Sequence, residues 1–354
     1  ILKRTMGVPI FQEQVMSMAV AVGNFTPGEA DELRRAMGAW RKRGTLGPLA
    51  QRLTKGMRDN GINETYAKQI CQQIQGFGEY GFPESHAASF SRLVYVSAWI
   101  KRHHPAAFCV ALLNSQPMGF YSARSLIDDA RRHNVHVEPI DIQMSDWDNT
   151  LECGSDKQLH IRLGFRQIRG LSQAAGQKIE HERSVNGPFD GFGSLQKRAN
   201  LNRKDMDTLA HSGALQSLFN NRRDAIWAVR GLYDLPLFRG LERAQQVQFP
   251  NPSAFDEMNA DYRSLGLSLE HNPIGIEREK LNKEGFLSAA EVKNMDNGRT
   301  IRVAGVVAHR QRPGTANGII FMTLEDETGL LNIVVKPRLF EKQRKTILQN
   351  NLLK

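Results

Sequence analysis

Ser85 and His86 stand together in GEYGFPESHAASF, after a loop rich in glycine and aromatics and before an apolar stretch that runs unbroken to Pro105. A serine in that place caps the helix it precedes. The first turn of such a helix has free N–H groups and a partial positive charge, which together suit an anion. His86 lies in that turn and can donate a hydrogen bond to a phosphate. A plain cap and a surface imidazole explain the pair more simply, because capping is the common use of such a serine.

Arg34 and Arg35 in LRRAMG offer a second anion grip. Neighbouring guanidiniums match phosphate oxygens bidentately, while Leu33 and Met37 face a core. The plainer role is favourable placement of cations near a helix C-terminus. A third candidate is IRGLSQAAGQKI, Ile168 to Ile179, which reads as a helix-hairpin-helix. Such hairpins present the first N–H groups of their second helix to a nucleic-acid backbone. Gly170 supplies the turn, Ser172 stands where a second glycine is usual, and Lys178 follows on the helix. LNRKDMDTLAHSGAL repeats the theme with Arg203 and Lys204. An ordinary helical hairpin would look much the same.

Two acidic pairs have the residue type that two-metal phosphoryl transfer needs. Asp146 and Asp148 share a face if DWD is a strand, and Glu325 and Glu327 do so in EDE. Neither pair has a third acidic partner nearby or a phosphate loop, so both read as turn or surface acids, and no metal ligand is expected. His103 and His104, as helix neighbours, cannot converge on one ion.

These residues need elements to hold them. TPGEADELRRAMG reads as a helix with Thr26 as cap, Pro27 first, Glu29 closing a capping box and Gly38 ending it. Further helices are expected over about 63–75, 85–103 and from Ser122, then a short strand in VHVEPIDI. Residues 158–220 read as short helices joined by glycine turns. From Arg299 the pattern turns to β, with three strands and a helix, PRLFEKQRKTIL. The expected fold is mainly α with a C-terminal β-barrel. That segment reads as part of an oligonucleotide-binding barrel, with Arg302, His309, Arg310 and Arg312 on a face for single-stranded DNA.

The 354 residues allow two or three domains, and 40% hydrophobic with 24% charged residues is a globular composition. The net charge of +10, from 47 basic and 37 acidic residues, favours a polyanionic partner. No apolar run reaches the roughly 18 residues a bilayer span requires. Cys71, Cys109 and Cys153 are far apart, which argues against a zinc knuckle or disulfide framework and for a cytoplasmic location. The chain starts without Met and ends at NLLK, so it is expected to be a piece of a longer protein.

In order, GVPIFQEQVM, ADELRRAMG, FGEYGFPESHAASFSRLVYVSAWIKRHHPAAF and NSQPMGFY resemble the fingers of bacterial C-family DNA polymerases, the family of the polymerase III α subunit. The likeness runs on through the hairpins and barrel. Replicative members usually carry Asn-Lys before the Ser-His; Pro83 and Glu84 stand there, as in the damage-inducible, error-prone branch. The resemblance implies that Arg34, Arg35, Ser85 and His86 lie by the triphosphate of an incoming deoxynucleotide, with Glu84 loosening that grip. It implies primed DNA as partner, no membrane, and Mg2+ held by palm aspartates upstream of Ile1, with no cofactor in this chain. The clamp-binding peptide of the family corresponds to DLPLF: Leu237 and Phe238 keep its anchor, whereas Asp234 replaces the glutamine and cannot donate as an amide does, so recruitment is expected through an accessory protein or the sliding clamp. The expected organisation is fingers over 1–121, hairpins over 122–230, a linker with the clamp-like peptide over 231–298, and a partial barrel over 299–354. The alternatives are a non-catalytic DNA-binding repair scaffold and a helical interaction protein.

Overall fold

The computed structural model describes the chain except residues 44–45, 77–82, 120, 232–248 and 314–315, and the side chains of 38–43, 46 and 75–76. Two compact units result, Ile1–Arg102 and His103–Lys354. The division falls ahead of the boundary expected near residue 121.

The described residues of the first unit form a 3-10 turn, Lys3–Thr5, and five helices: α1 (Gln12–Val22), α2 (Pro27–Arg43), α3 (Leu46–Asp59), α4 (Glu64–Gly76) and α5 (Glu84–His103). Its core comes from helical spacing: Val15 and Met18 on α1, Leu33 and Met37 on α2, Leu53 and Met57 on α3, Ile70 and Ile74 on α4. The Gly23 carbonyl leaves no room for a Cβ at Gly56, so α3 lies close against the end of α1. The predicted capping box is present: Thr26 N–H donates to Glu29 Oε2 at 2.8 Å, and Glu29 N–H to Thr26 Oγ1 at 3.4 Å. Gly38 does not end α2, which continues to Arg43; a glycine inside a helix costs only about 1 kcal/mol. The α5 helix begins one residue early. Ala87 N–H donates to the Pro83 carbonyl at 3.0 Å, so Ser85 sits inside the first turn rather than at the cap. No residue of α5 is buried.

The second unit opens with α6 (Pro105–Asn114) and α7 (Ala123–Arg132), the latter capped by Ser122, then a small sheet of β1 (Val137–Glu138), β2 (Thr150–Cys153) and β3 (Leu159–Arg162). β1 runs parallel to β3, and β2 antiparallel. The strand expected in VHVEPIDI thus shrinks to two residues, and the β2–β3 hairpin enters a region that begins where short helices were expected. Four-residue strands are too short for a period of two to be legible. Next come α8 (Gln173–Asn186), α9 (Phe192–Ala199), α10 (Arg203–Ser212) and α11 (Arg222–Arg230). Ile127, Ile142, Ile161, Phe165, Ile179 and Leu209 are buried at their centre.

Much of the expected linker is folded. Residues 254–293 form α12 (Ala254–Ser264), α13 (Pro273–Ile276), α14 (Arg278–Lys283), β4 (Phe286–Leu287) and α15 (Ala289–Lys293), burying Met258, Leu267, Ile274 and Leu281. Polar composition hid this, because the segment docks through single apolar residues and ion pairs: the buried Arg222 holds Asp261 and, at 3.1 Å, Glu257.

Last come β5 (Arg302–Val303), β6 (Gly305–Gln311), β7 (Ile320–Asp326), β8 (Gly329–Val335), α16 (Pro337–Gln349) and β9 (Leu352–Leu353). β5 pairs with β4. The main sheet has the order β8-β7-β6-β9, all antiparallel, with α16 packed through Phe340 and Ile347 on Ile320, Met322 and Val335. It is open, and among the described residues no sheet closes into the expected barrel. No helix among them is long and apolar enough to cross a membrane.

Candidate nucleic-acid interface

Two turns in the second unit share one construction. In the first, Gly170 takes φ +86°, Leu171 packs inward, and Ser172 caps α8 by accepting the Ala175 N–H at 3.2 Å. In the second, Asn200 takes φ +44°, Leu201 packs against the same core, and Asn202 caps α10 by accepting the Asp205 N–H at 2.8 Å. Only the first position of each turn needs the left-handed region that glycine and asparagine tolerate. Ser172 has φ −76°, so no second glycine is required, and its hydroxyl supplies a cap that glycine lacks.

Asp205 brings the two turns together. Its carboxylate, 4% exposed, accepts from Ser172 N–H at 3.3 Å, Ser172 Oγ at 3.2 Å and Asn202 Nδ2 at 2.7 Å. The starts of α8 and α10 therefore lie side by side, with their free N–H groups and partial positive charges adjacent. Arg203 and Lys204 immediately precede Asp205 and are exposed. With Asp207 and Arg230 they line an open recess of about 630 Å³, three cations against one carboxylate. Lys178 is exposed on α8. Arg230 was not singled out from sequence. Its signal is its place at the end of α11, which packs on α10; Arg222 and Arg223 of the same helix are engaged with Asp261 and Asp256 instead.

The basic residues near the C-terminal sheet separate. Arg302 is exposed on β5. Arg310 donates to the carbonyls of Leu348 at 3.0 Å and Asn350 at 2.8 Å, tying β6 to the end of α16. The Arg312 guanidinium lies 5.0 Å from the centre of the Phe340 ring. Packing within the sheet and helix thus engages Arg310 and Arg312. Phe321, opposite Val334 on β7 and β8, is exposed on the face away from α16, an aromatic surface that the basic residues of β6 did not signal.

In the first unit, Arg34 Nε meets Asp31 Oδ1 at 2.8 Å and Arg35 meets Asp31 Oδ2 at 3.0 Å. The hydrogen bond from Arg34 holds the Asp31 carboxyl below its ordinary range, with desolvation opposing. Ser85 and His86 are exposed in the first turn of α5, and the His86 ring lies 4.3 Å from that of Phe90. One first-turn N–H of this helix already holds a carboxylate: Glu84 N–H donates to Glu13 Oε2 at 2.9 Å, and Arg4 pairs with the Glu84 carboxylate at 2.8 Å. These contacts engage the arginine pair and the α5 start with different partners, Asp31 and Glu13, and do not bring them together. Asp234, Leu237 and Phe238 lie outside the described residues.

The two acidic pairs do not fit a two-magnesium centre. Asp146 pairs with Arg183, Asp148 with Arg166 at 2.6 Å, Glu325 with Arg124 at 2.9 Å, and Glu327 with Arg278. Asp146 and Asp148 also lie in a bend rather than on a strand face. Asp326, between the glutamates, is buried and accepts from Ala289, Thr328 and Gly329 N–H groups at 2.7, 2.8 and 3.0 Å. Its work is to fix the sheet corner.

Residues 134–225 match the helix-hairpin-helix motif family, and residues 1–61 the finger domain of the bacterial DNA polymerase III alpha subunit. The whole chain is 53% identical to the error-prone DNA polymerase of Dechloromonas aromatica and 50% to that of Alkalilimnicola ehrlichii, in each case over 34% of the relative. It is 46% identical to the error-prone DNA polymerase of Burkholderia pseudomallei, again over 34% of that protein. The chain spans about a third of the length of the curated relatives it matches.

Proposed function

We propose that this chain is part of an error-prone bacterial DNA polymerase of the polymerase III alpha kind, as its finger and helix-hairpin-helix matches suggest, and that it grips primed DNA for that enzyme. The whole enzyme would extend a primer past damaged template from deoxynucleoside triphosphates. The observation that carries this reading is the meeting of two capped helix starts at Asp205, beside Arg203, Lys204 and Arg230. Backbone N–H groups fix phosphate oxygens without regard to base, and the cations beside them supply the long-range pull. Sequence-independent binding is what a polymerase requires of a surface that follows a moving primer end. Arg302 and the exposed Phe321 face support contact with the single-stranded template through charge and stacking.

Nucleotide handling falls to Arg34, Arg35, Ser85 and His86 in this reading. An arriving triphosphate would compete with Asp31 for the arginines and with Glu13 for the start of α5, so binding would exchange internal carboxylates for phosphates. Mg2+ would be held by carboxylates outside this chain, and recruitment would use an accessory protein or the sliding clamp.

The test is fluorescence anisotropy of a primed duplex titrated at several salt concentrations. Replacing Arg203 and Lys204 by alanine should weaken binding and lower the slope of log K against log salt by about 2, since each lost phosphate contact removes roughly 0.9. An unchanged slope would remove the hairpin surface from DNA binding.

A further inference from the structure

The three-stranded sheet, which shares its core with the hairpins, gathers two histidines and a carboxylate outside the proposed DNA surface. Because Val137 of β1 stands opposite Ile161 of β3 in parallel register, His136 falls beside His160. Val137 and Ile161 turn into the core, and the residues on either side of them turn to the other face. There His136 Nε2 lies 3.2 Å from Glu138 Oε1, and His160 Nδ1 lies 3.7 Å from the same oxygen. One donor atom from each of the three residues lies within 4.8 Å of the others. Ligand atoms bound at about 2.0–2.1 Å around a tetrahedral ion are about 3.3 Å apart, so small side-chain shifts suffice to close this set on a metal.

The surroundings support the same reading. His160 Nε2 lies 3.1 Å from Asp156 Oδ1, the outer carboxylate that commonly orients a metal-bound imidazole. With Nε2–H donated to Asp156, the Nδ1 lone pair is directed at Glu138. The His160 side chain is 15% exposed, and its ring leaves no room for a Cβ at Gly154, so the ring is held in place. Arg162, on this face, is bound by both oxygens of Glu152 at 3.0 and 2.9 Å, with Glu138 further off at 3.8 Å. Glu152 thus takes most of the Arg162 charge, and only the second oxygen of Glu138, Oε2, faces Arg162, while Oε1 faces the two histidines. His136 and Glu138 also line a cleft of about 980 Å³, which gives a fourth ligand a way in.

We propose that His136, Glu138 and His160 form a site for a divalent transition metal, of which Zn2+ fits best. Two imidazole nitrogens and one carboxylate oxygen suit Zn2+, whereas Mg2+ and Ca2+ take oxygen ligands. The bound ion cross-links β1 to β3 and so braces the sheet whose core the hairpins share.

Co2+ is the probe, because a four-coordinate Co2+ absorbs in the visible. Titrated into the full chain, it should bind at one equivalent with that spectrum, and Zn2+ should displace it. His136→Asn removes a ligand that is 60% exposed, so the fold should survive, as far-UV circular dichroism will verify; Co2+ affinity should fall at least tenfold. Asp156→Asn should cost about 10- to 100-fold through loss of the orienting carboxylate. Cys153→Ser, which removes the exposed thiol, should bind like the native chain. Equal titrations of the native chain and His136→Asn, or a loss caused by Cys153→Ser alone, would overturn the proposal.

Discussion

Asp205 decides more than any basic residue near it, because both hairpins hang on one carboxylate. Replacing it with alanine leaves Ser172 and Asn202 donors without their acceptor, at a cost of roughly 2–3 kcal/mol in urea denaturation. Residue chemistry also sorts the thiols. Burial pushes the Cys109 thiol up to about 12, and burial raises Cys71 as well, whereas Cys153 is exposed. An aromatic disulfide reagent at neutral pH should therefore label one thiol quickly and the other two only on unfolding. Glu29 gives the pH prediction. Hydrogen bonding to Arg52, then to Thr26, lowers its carboxyl from 4.5 to about 2. Its folded-state value is depressed, so its stabilising contribution is complete above about 4.5 and is lost as pH falls towards 2. The Glu29→Gln variant should lose less stability than the native chain over that interval, as read by denaturation at stepped pH.

Elements differ in how far their own sequence explains them. The first hairpin turn needs glycine at position 170 and a capping side chain at 172, so the two positions should fail differently. Gly170→Val forces a β-branched residue to φ +86° and should cost about 1–2 kcal/mol or more. Ser172→Gly loses the cap but meets no strain, and its backbone N–H to Asp205 remains, so it should cost less. Melting the two variants side by side checks this order. α5 is the opposite case. It carries an apolar run, yet Leu93 and Val94 are 60% and 62% exposed. Their replacement by glutamate should change this chain's stability by less than about 0.5 kcal/mol, against about 2–5 kcal/mol for Leu33→Ala in the buried face of α2.

For the whole molecule, the excess of ten positive charges says only that a polyanion is favoured. The ion pairs decide which charges remain for it. Arg222 and Arg278 hold the folded segment after residue 253 to the rest of the second unit, through Asp261 and through Asp326 and Glu327. Arg203, Lys204 and Arg230 are left around an open recess. On the proposed reading, Arg34→Ala with Arg35→Ala in the full-length protein should raise the KM for deoxynucleotides at least severalfold while primed-DNA affinity stays unchanged. Primer-extension kinetics distinguish that outcome from a general loss of activity.

The sequence alone determined the helical character of the first unit, the capping box at Thr26, the hairpin turn at Gly170 and the family resemblance, since each is local in the chain or carried by the order of short motifs. It also indicated the β character after Arg299. Only the tertiary structure decided that Ser85 lies inside its helix, that Arg310 is spent on the end of α16, that residues 254–293 fold, and that the C-terminal sheet is open. It also brought His136 and Glu138 to His160. The reason is the range of the interactions. Caps and turns join residues three or four apart, whereas the partner of an arginine or imidazole can lie tens of residues away, and residue type is silent about which partner the fold delivers.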